Sequence, residues 1–117
     1  MRLFAIPELH YEPKLRSECS RPWALLLVDE SGRAIQMRVA GQPPHAHDDE
    51  REVLEAVHEE LRRLAHSGER EELDQLYQQQ LKNLSLTIRL SEPESFAADT
   101  EDDAVQELDR RAAAAWG

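Results

Sequence analysis

An α+β fold, with a three- to four-stranded antiparallel sheet, an αα pair packed on one face and a weak C-terminal helix, is what this sequence of 117 residues predicts. Three observations carry the prediction. Two strand-like runs are joined by a short Gly-containing turn, two segments of helical period follow back to back, and an alternating run comes after them. The apolar side of a small sheet and the apolar stripes of two helices are buried most simply against each other.

The first 22 residues are broken by Pro7, Pro13 and Pro22. Proline fixes φ and removes a donor, so no long helix fits there. Leu3–Ile6 can form a short strand, and Pro7–Arg21 reads as a loop or extended arm. Trp23–Val28 is apolar at every position and belongs inside the sheet. Asp29-Glu30-Ser31-Gly32 supplies the turn, since glycine accepts positive φ. In Arg33–Val39, Ala34, Gln36 and Arg38 alternate with Ile35, Met37 and Val39, which gives the second strand of a hairpin one wet face.

Gly41-Gln42-Pro43-Pro44 ends the hairpin. Asp49-x-x-Glu52 then resembles a capping box, and Val53, Leu54, Val57, Leu61 and Leu64 follow at helical spacing. Gly68 separates this helix from a second one, which starts with Glu69, Glu71, Glu72 and Asp74 and carries Leu73, Leu76, Tyr77 and Leu81 on one stripe. Leu84, Leu86, Ile88 and Leu90 alternate with Ser85, Thr87 and Arg89, the pattern of a half-exposed strand. Ser91–Thr100 reads as an acidic linker. Ala104, Val105, Leu108, Ala112 and Trp116 then make a weak amphipathic stripe. The division expected is one α+β domain over residues 1–90, followed by an acidic linker and C-terminal segment over 91–117.

Aromatic residues are only 5% of the chain, so the core must be built mainly from Leu, Val, Ile and Ala. No apolar run approaches the ~20 residues of a membrane span, and the first residues lack the apolar length of a secretory signal. One cysteine cannot form an internal disulfide, which makes the cytoplasm the expected compartment.

Charge is distributed unevenly. Residues 1–47 carry six Lys/Arg and five Asp/Glu, a net of +1; residues 48–117 carry eight and nineteen, a net of −11. From Ser91 to Asp109 there are eight acids and no base. Direct binding of nucleic acid or an anionic membrane by this half is therefore disfavoured.

Residue patterns for chemistry are sparse. His45, His47 and Asp49 form an H-x-H-x-D fragment, with His58 on the helix behind it, and imidazoles with carboxylates suit a divalent metal. The fragment is similar to that of metallo-hydrolases of the β-lactamase type. However, Glu50 stands where a further histidine is needed, and the chain is too short for that fold. Asp29, Glu52 and Glu55 could compose a nuclease-like carboxylate set, but Asp29 falls in a turn and Leu84–Leu90 contains no acid. Cys19 with His10 lacks any local element to orient a base. Phosphate-cradling glycine loops and dinucleotide fingerprints are absent from the sequence.

The remaining function is recognition. The expected activity is that of a non-catalytic interaction protein of inhibitor, immunity or accessory-subunit type, without a cofactor. Its acidic surface meets a basic face of another protein; a further alternative is a structural homodimer formed through apolar sheet or helix surface, with the tail irrelevant. Phe96, Asp102, Asp103, Leu108 and Trp116 are the expected contact residues: acids for steering and apolar side chains as anchors. The alternative is a small metal-binding protein or metal-dependent hydrolase centred on His45, His47, Asp49 and His58.

Overall fold

The chain is an α+β protein whose sheet carries helices on both faces. The computed structural model describes residues 1–11, 22–43, 48–67, 69–81, 88–91 and 94–116, without the side chains of 48–50 and 88–89. In chain order the elements are β1 (Arg2–Ala5), β2 (Glu8–Tyr11), β3 (Ala24–Val28), β4 (Ala34–Val39), α1 (Asp48–Ser67), α2 (Arg70–Gln79), β5 (Ile88–Leu90), β6 (Ser95–Ala98) and α3 (Glu101–Trp116). No helix among the described residues is long and apolar enough to cross a membrane.

All six strands join one antiparallel sheet, in the order β5-β2-β3-β1-β6, with β4 also paired to β3. β1 and β2 are halves of a single long strand. Ala5 pairs with Val28, Glu8 with Leu25 and Leu9 with Ala24, an unbroken register along β3. Pro7 lies between the halves. It has no N–H to give, yet its carbonyl still accepts the Leu26 N–H at 3.1 Å. Glu8–Tyr11 is thus a strand and not the loop expected from Pro7 onward: the proline interrupts the donors without breaking the register.

β5 and β6 repeat this arrangement on the outer side, β5 against β2 and β6 against β1. Ala5 and Leu9 are four residues apart, while their partners Ser95 and Leu90 are five apart, so one extra residue is accommodated between β5 and β6. Ser91 stitches the gap. Its N–H donates to the Glu8 carbonyl and its hydroxyl accepts the Glu8 N–H, both at 2.8 Å. The segment read as an acidic linker therefore contains a strand, and the boundary expected at Leu90 falls inside the sheet. Residues 84–87 of the alternating run, and Gly68, lie outside the described residues.

Central β3 is buried on both faces, as its unbroken apolar run requires. Ala24, Leu26 and Val28 pack with Leu9, Tyr11, Trp23, Met37 and the stripes of α1 and α2. Leu25 and Leu27 pack on the other face with Phe4, Ile6, Ile35, Ala104 and Leu108. β4 departs from simple alternation. Leu27 pairs with Gln36 and Val28 with Ala34, which leaves Ile35 as a bulge residue. The bulge turns Ile35 to the α3 face while Met37 stays on the α1/α2 face. Strict period two had placed both on one side.

Helix stripes follow the sequence closely. Leu54, Leu61 and Leu64 of α1, and Leu73 and Tyr77 of α2, are buried against the sheet, together with Leu81 just beyond α2. Val53, expected on that stripe, is 62% exposed, because α1 meets the sheet only from Leu54 onward. The α3 stripe is stronger than its composition suggests. Ala104 and Leu108 are fully buried, and Val105, Ala112 and Trp116 pack around them.

Candidate interaction surface

The acidic surface is built by the turn that joins β6 to α3. Thr100, two residues beyond β6, caps the helix, its Oγ1 accepting the Asp103 N–H at 3.1 Å. Glu101, Asp102 and Asp103 fill the first turn of α3, where the positive end of the helix dipole favours carboxylates. Part of the acidity is thereby structural.

Ion pairs divide the remaining carboxylates into two groups. Glu101 accepts from Arg70 at 2.7 Å and Asp109 from Arg38 at 2.7 Å, which fastens the start and the middle of α3 to the rest of the molecule. Glu107 is engaged by Arg110 and by Arg111. The bond from Arg110 leads the causes that hold its carboxyl down to about 2, with the Arg111 bond and both guanidinium charges outweighing the opposing effect of burial. Among the described residues, Glu94, Asp99, Asp102 and Asp103 form no salt bridge, and all four are exposed. Asp99 and Asp103 border an open groove of about 340 Å³, which runs past Met1, Phe96, Ala97, Ala98 and Glu107.

The expected contact residues separate accordingly. Asp102 and Asp103 are exposed. Phe96 is half-buried, tilted against Phe4 at 6.1 Å, with the Arg111 guanidinium 5.3 Å from its ring centre. Leu108 is fully buried in the core and offers nothing to a partner. Trp116 turns inward and donates its indole N–H to the Pro22 carbonyl at 2.7 Å. The anchors expected in the C-terminal segment are thus mostly internal, because the alternate positions of a helix against a sheet belong to the core. Glu94 and Asp99 were overlooked. Their signal was faint, two acids flanking a four-residue run in which Phe96 and Ala98 alternate with Ser95 and Ala97.

Of the metal-type residues, only His58 has a described side chain. His45 and His47 lie outside the described residues, and so does the side chain of Asp49. Asp49 and His58 stand nine positions apart on α1, ~13 Å along the helix axis, too far to bind one ion together. His58 is the buried polar residue of the described core, and its ring lies nearly parallel to that of Trp23. Trp23 Nε1–H donates to His58 Nδ1 at 2.9 Å. Indole nitrogen only donates, so Nδ1 must be bare and the proton sits on Nε2. That nitrogen has no hydrogen-bond partner among the described residues. Burial, aided by Arg62, holds the imidazole below its ordinary pKa, while the Gly41 carbonyl and Glu59 oppose the shift. A metal at Nε2 would need the proton moved to Nδ1, where it would face the indole N–H. Among the described residues, no three His, Cys, Asp or Glu side chains gather to hold an ion.

Other candidate groups have structural duties. Asp29 Oδ1 accepts from the Ser31 N–H and hydroxyl and from the Arg33 N–H, closing the turn in which Gly32 adopts φ +85°. Partial burial pushes the Asp29 carboxyl up, but these bonds and Arg2 prevail and hold it below the usual value. Glu52 and Glu55 face solvent. His10 Nε2 lies 2.9 Å from Glu8 Oε1, and Cys19 is outside the described residues. No protein-family model, curated protein or solved structure matches this chain.

Proposed function

We propose that this protein is a non-catalytic interaction module that binds a basic face of another protein through the β6–α3 surface. One observation carries the reading. The acids Glu94, Asp99, Asp102 and Asp103 stand exposed and, among the described residues, without an ion-pair partner; Asp99 and Asp103 share a groove with the half-buried Phe96, while Arg38, Arg70, Arg110 and Arg111 are already occupied by other carboxylates. Uncompensated charge of one sign around a partly apolar floor favours steered encounter with a cationic partner. An inhibitor, immunity or accessory-subunit role suits such a surface, with the cytoplasm as its compartment.

The test is affinity capture with the intact protein and with a Glu94→Gln, Asp99→Asn, Asp102→Asn, Asp103→Asn variant. The intact protein is expected to retain a basic partner that salt elutes and that the variant fails to hold. Identical partners on both forms, eluted alike, would refute the reading.

A further inference from the structure

We infer that the outer edge of β6 accepts an extended, lysine- or arginine-rich segment of the partner as an added strand. This rests on the proposed interaction role and names its binding mode. Among the described residues, β6 has β1 as its strand neighbour on one side and none on the other. Half of its backbone donors and acceptors therefore point away from the sheet, the usual basis of recognition by strand addition.

The opposite edge of the sheet is guarded. β4 carries a bulge at Ile35, and Arg38, fixed by Asp109 and Gln36, projects from it. Bulges and charged side chains are the devices that discourage edge pairing. β6 has neither, being Ser95, Phe96, Ala97 and Ala98.

The surroundings define the occupant. Phe96 and Ala98 face the α3 side, where Asp99 and Asp103 border the groove. Ser95 and Ala97 face the opposite side and are exposed, as is Leu3, which pairs with Ala97. A strand laid beside β6 would thus place alternate side chains in two environments. On the α3 side, where Arg111 already lies 5.3 Å from the Phe96 ring centre, a Lys or Arg stem can lie along Ala98 while its cation reaches Asp99 or Asp103. On the open side, a small apolar side chain meets Ala97 and Leu3. A second copy of this chain fits poorly, because pairing two β6 edges would gather Glu94, Asp99, Asp102 and Asp103 from both copies at one seam.

The probe is a short fluorescein-labelled peptide of alternating Lys and Val, compared with its Glu–Val counterpart on the full-length protein. Anisotropy gives affinity, and amide hydrogen exchange gives location. The Lys–Val peptide is expected to bind and to weaken as salt rises. It should lose about tenfold in affinity to an Asp99→Asn, Asp103→Asn variant that melts like the parent. It should also slow exchange within Ser95–Ala98. Binding that weakens with salt but leaves Ser95–Ala98 unprotected would overturn strand addition and leave the acidic-surface reading standing. Failure of the Lys–Val peptide to bind, or equal binding of the Glu–Val peptide, would overturn both. Protection of Ser95–Ala98 in a peptide-free dimer would assign the edge to self-association instead.

Discussion

Replacing Leu108 by Ala separates an integral α3 from an appended one. Leu108 is wholly inaccessible and packs in the cluster of Phe4, Ile6, Leu25, Leu27 and Ile35. The substitution removes buried methyl groups and leaves a cavity. Leu→Ala changes in cores cost ~2–5 kcal/mol, and the larger values arise where the walls cannot close. Here one wall is a hydrogen-bonded sheet whose central strand is buried on both faces, which resists collapse. The expected loss is therefore ~3–5 kcal/mol, a large part of the ~5–15 kcal/mol that stabilises a domain. For a chain of this size the melting temperature should fall by roughly 10–20 °C. Urea unfolding followed by circular dichroism measures the difference, with an unchanged m-value confirming that the same cooperative unit unfolds. Asp102→Asn, at an exposed position of the same helix, serves as the comparison and should cost less than about 1 kcal/mol. If Leu108→Ala costs under about 1 kcal/mol as well, α3 is not part of the core, and the reasoning about the second face fails.

Other expectations follow from the same contacts. Trp23→Phe leaves the buried Nδ1 of His58 without a donor and should cost ~1–3 kcal/mol. A double-mutant cycle with His58→Leu should show coupling, and simple additivity would count against the bond. The lowered pKa of His58 fixes the sign of one pH effect. Above pH ~6.5 both folded and unfolded forms are neutral; below it the unfolded chain takes up a proton that the buried ring resists. This contribution to stability should thus be whole above about 6.5 and decline as pH falls toward the folded pKa, by at most ~1.4 kcal/mol per pH unit. His58→Leu should flatten that part of a stability-versus-pH curve, and an unaltered slope would contradict the burial. Cutting the chain after Leu90 removes β6 and α3 and bares one face of the sheet, so the fragment should bind a hydrophobic dye and melt without a sharp transition. A cooperative melt near that of the full chain would show that residues 1–90 stand alone.

Long local patterns were legible in the sequence. The apolar run of β3 has no exposed side to satisfy, so it had to be central. The Asp29–Gly32 turn was marked by its residue types, and the stripes of α1, α2 and α3 by helical period. Strands of four residues were harder. β2 and β6 each place only two side chains on a face, too few for alternation to show, and β2 follows a proline. The Ile35 bulge could not be read from β4 alone, because a bulge exists only relative to the strand opposite. Among the candidate site residues, Asp102 and Asp103 are exposed, while Leu108 is buried in the core and half-buried Trp116 bonds to the Pro22 carbonyl.

The sequence by itself determined the helices, the hairpin and the excess of acid after Ser91, since each is written in neighbouring residues. The tertiary structure decided which of those acids remain unpaired. Arg38 reaches Asp109 from 71 positions away and Arg70 reaches Glu101 from 31, partnerships that arise only when α3 lies across the sheet. It also decided that His58 meets Trp23, 35 residues distant, and so stands as a buried neutral ring. Composition sets how much charge a chain carries. Packing brings some of those charges within reach of a counter-ion and leaves Glu94, Asp99, Asp102 and Asp103 without one among the described residues.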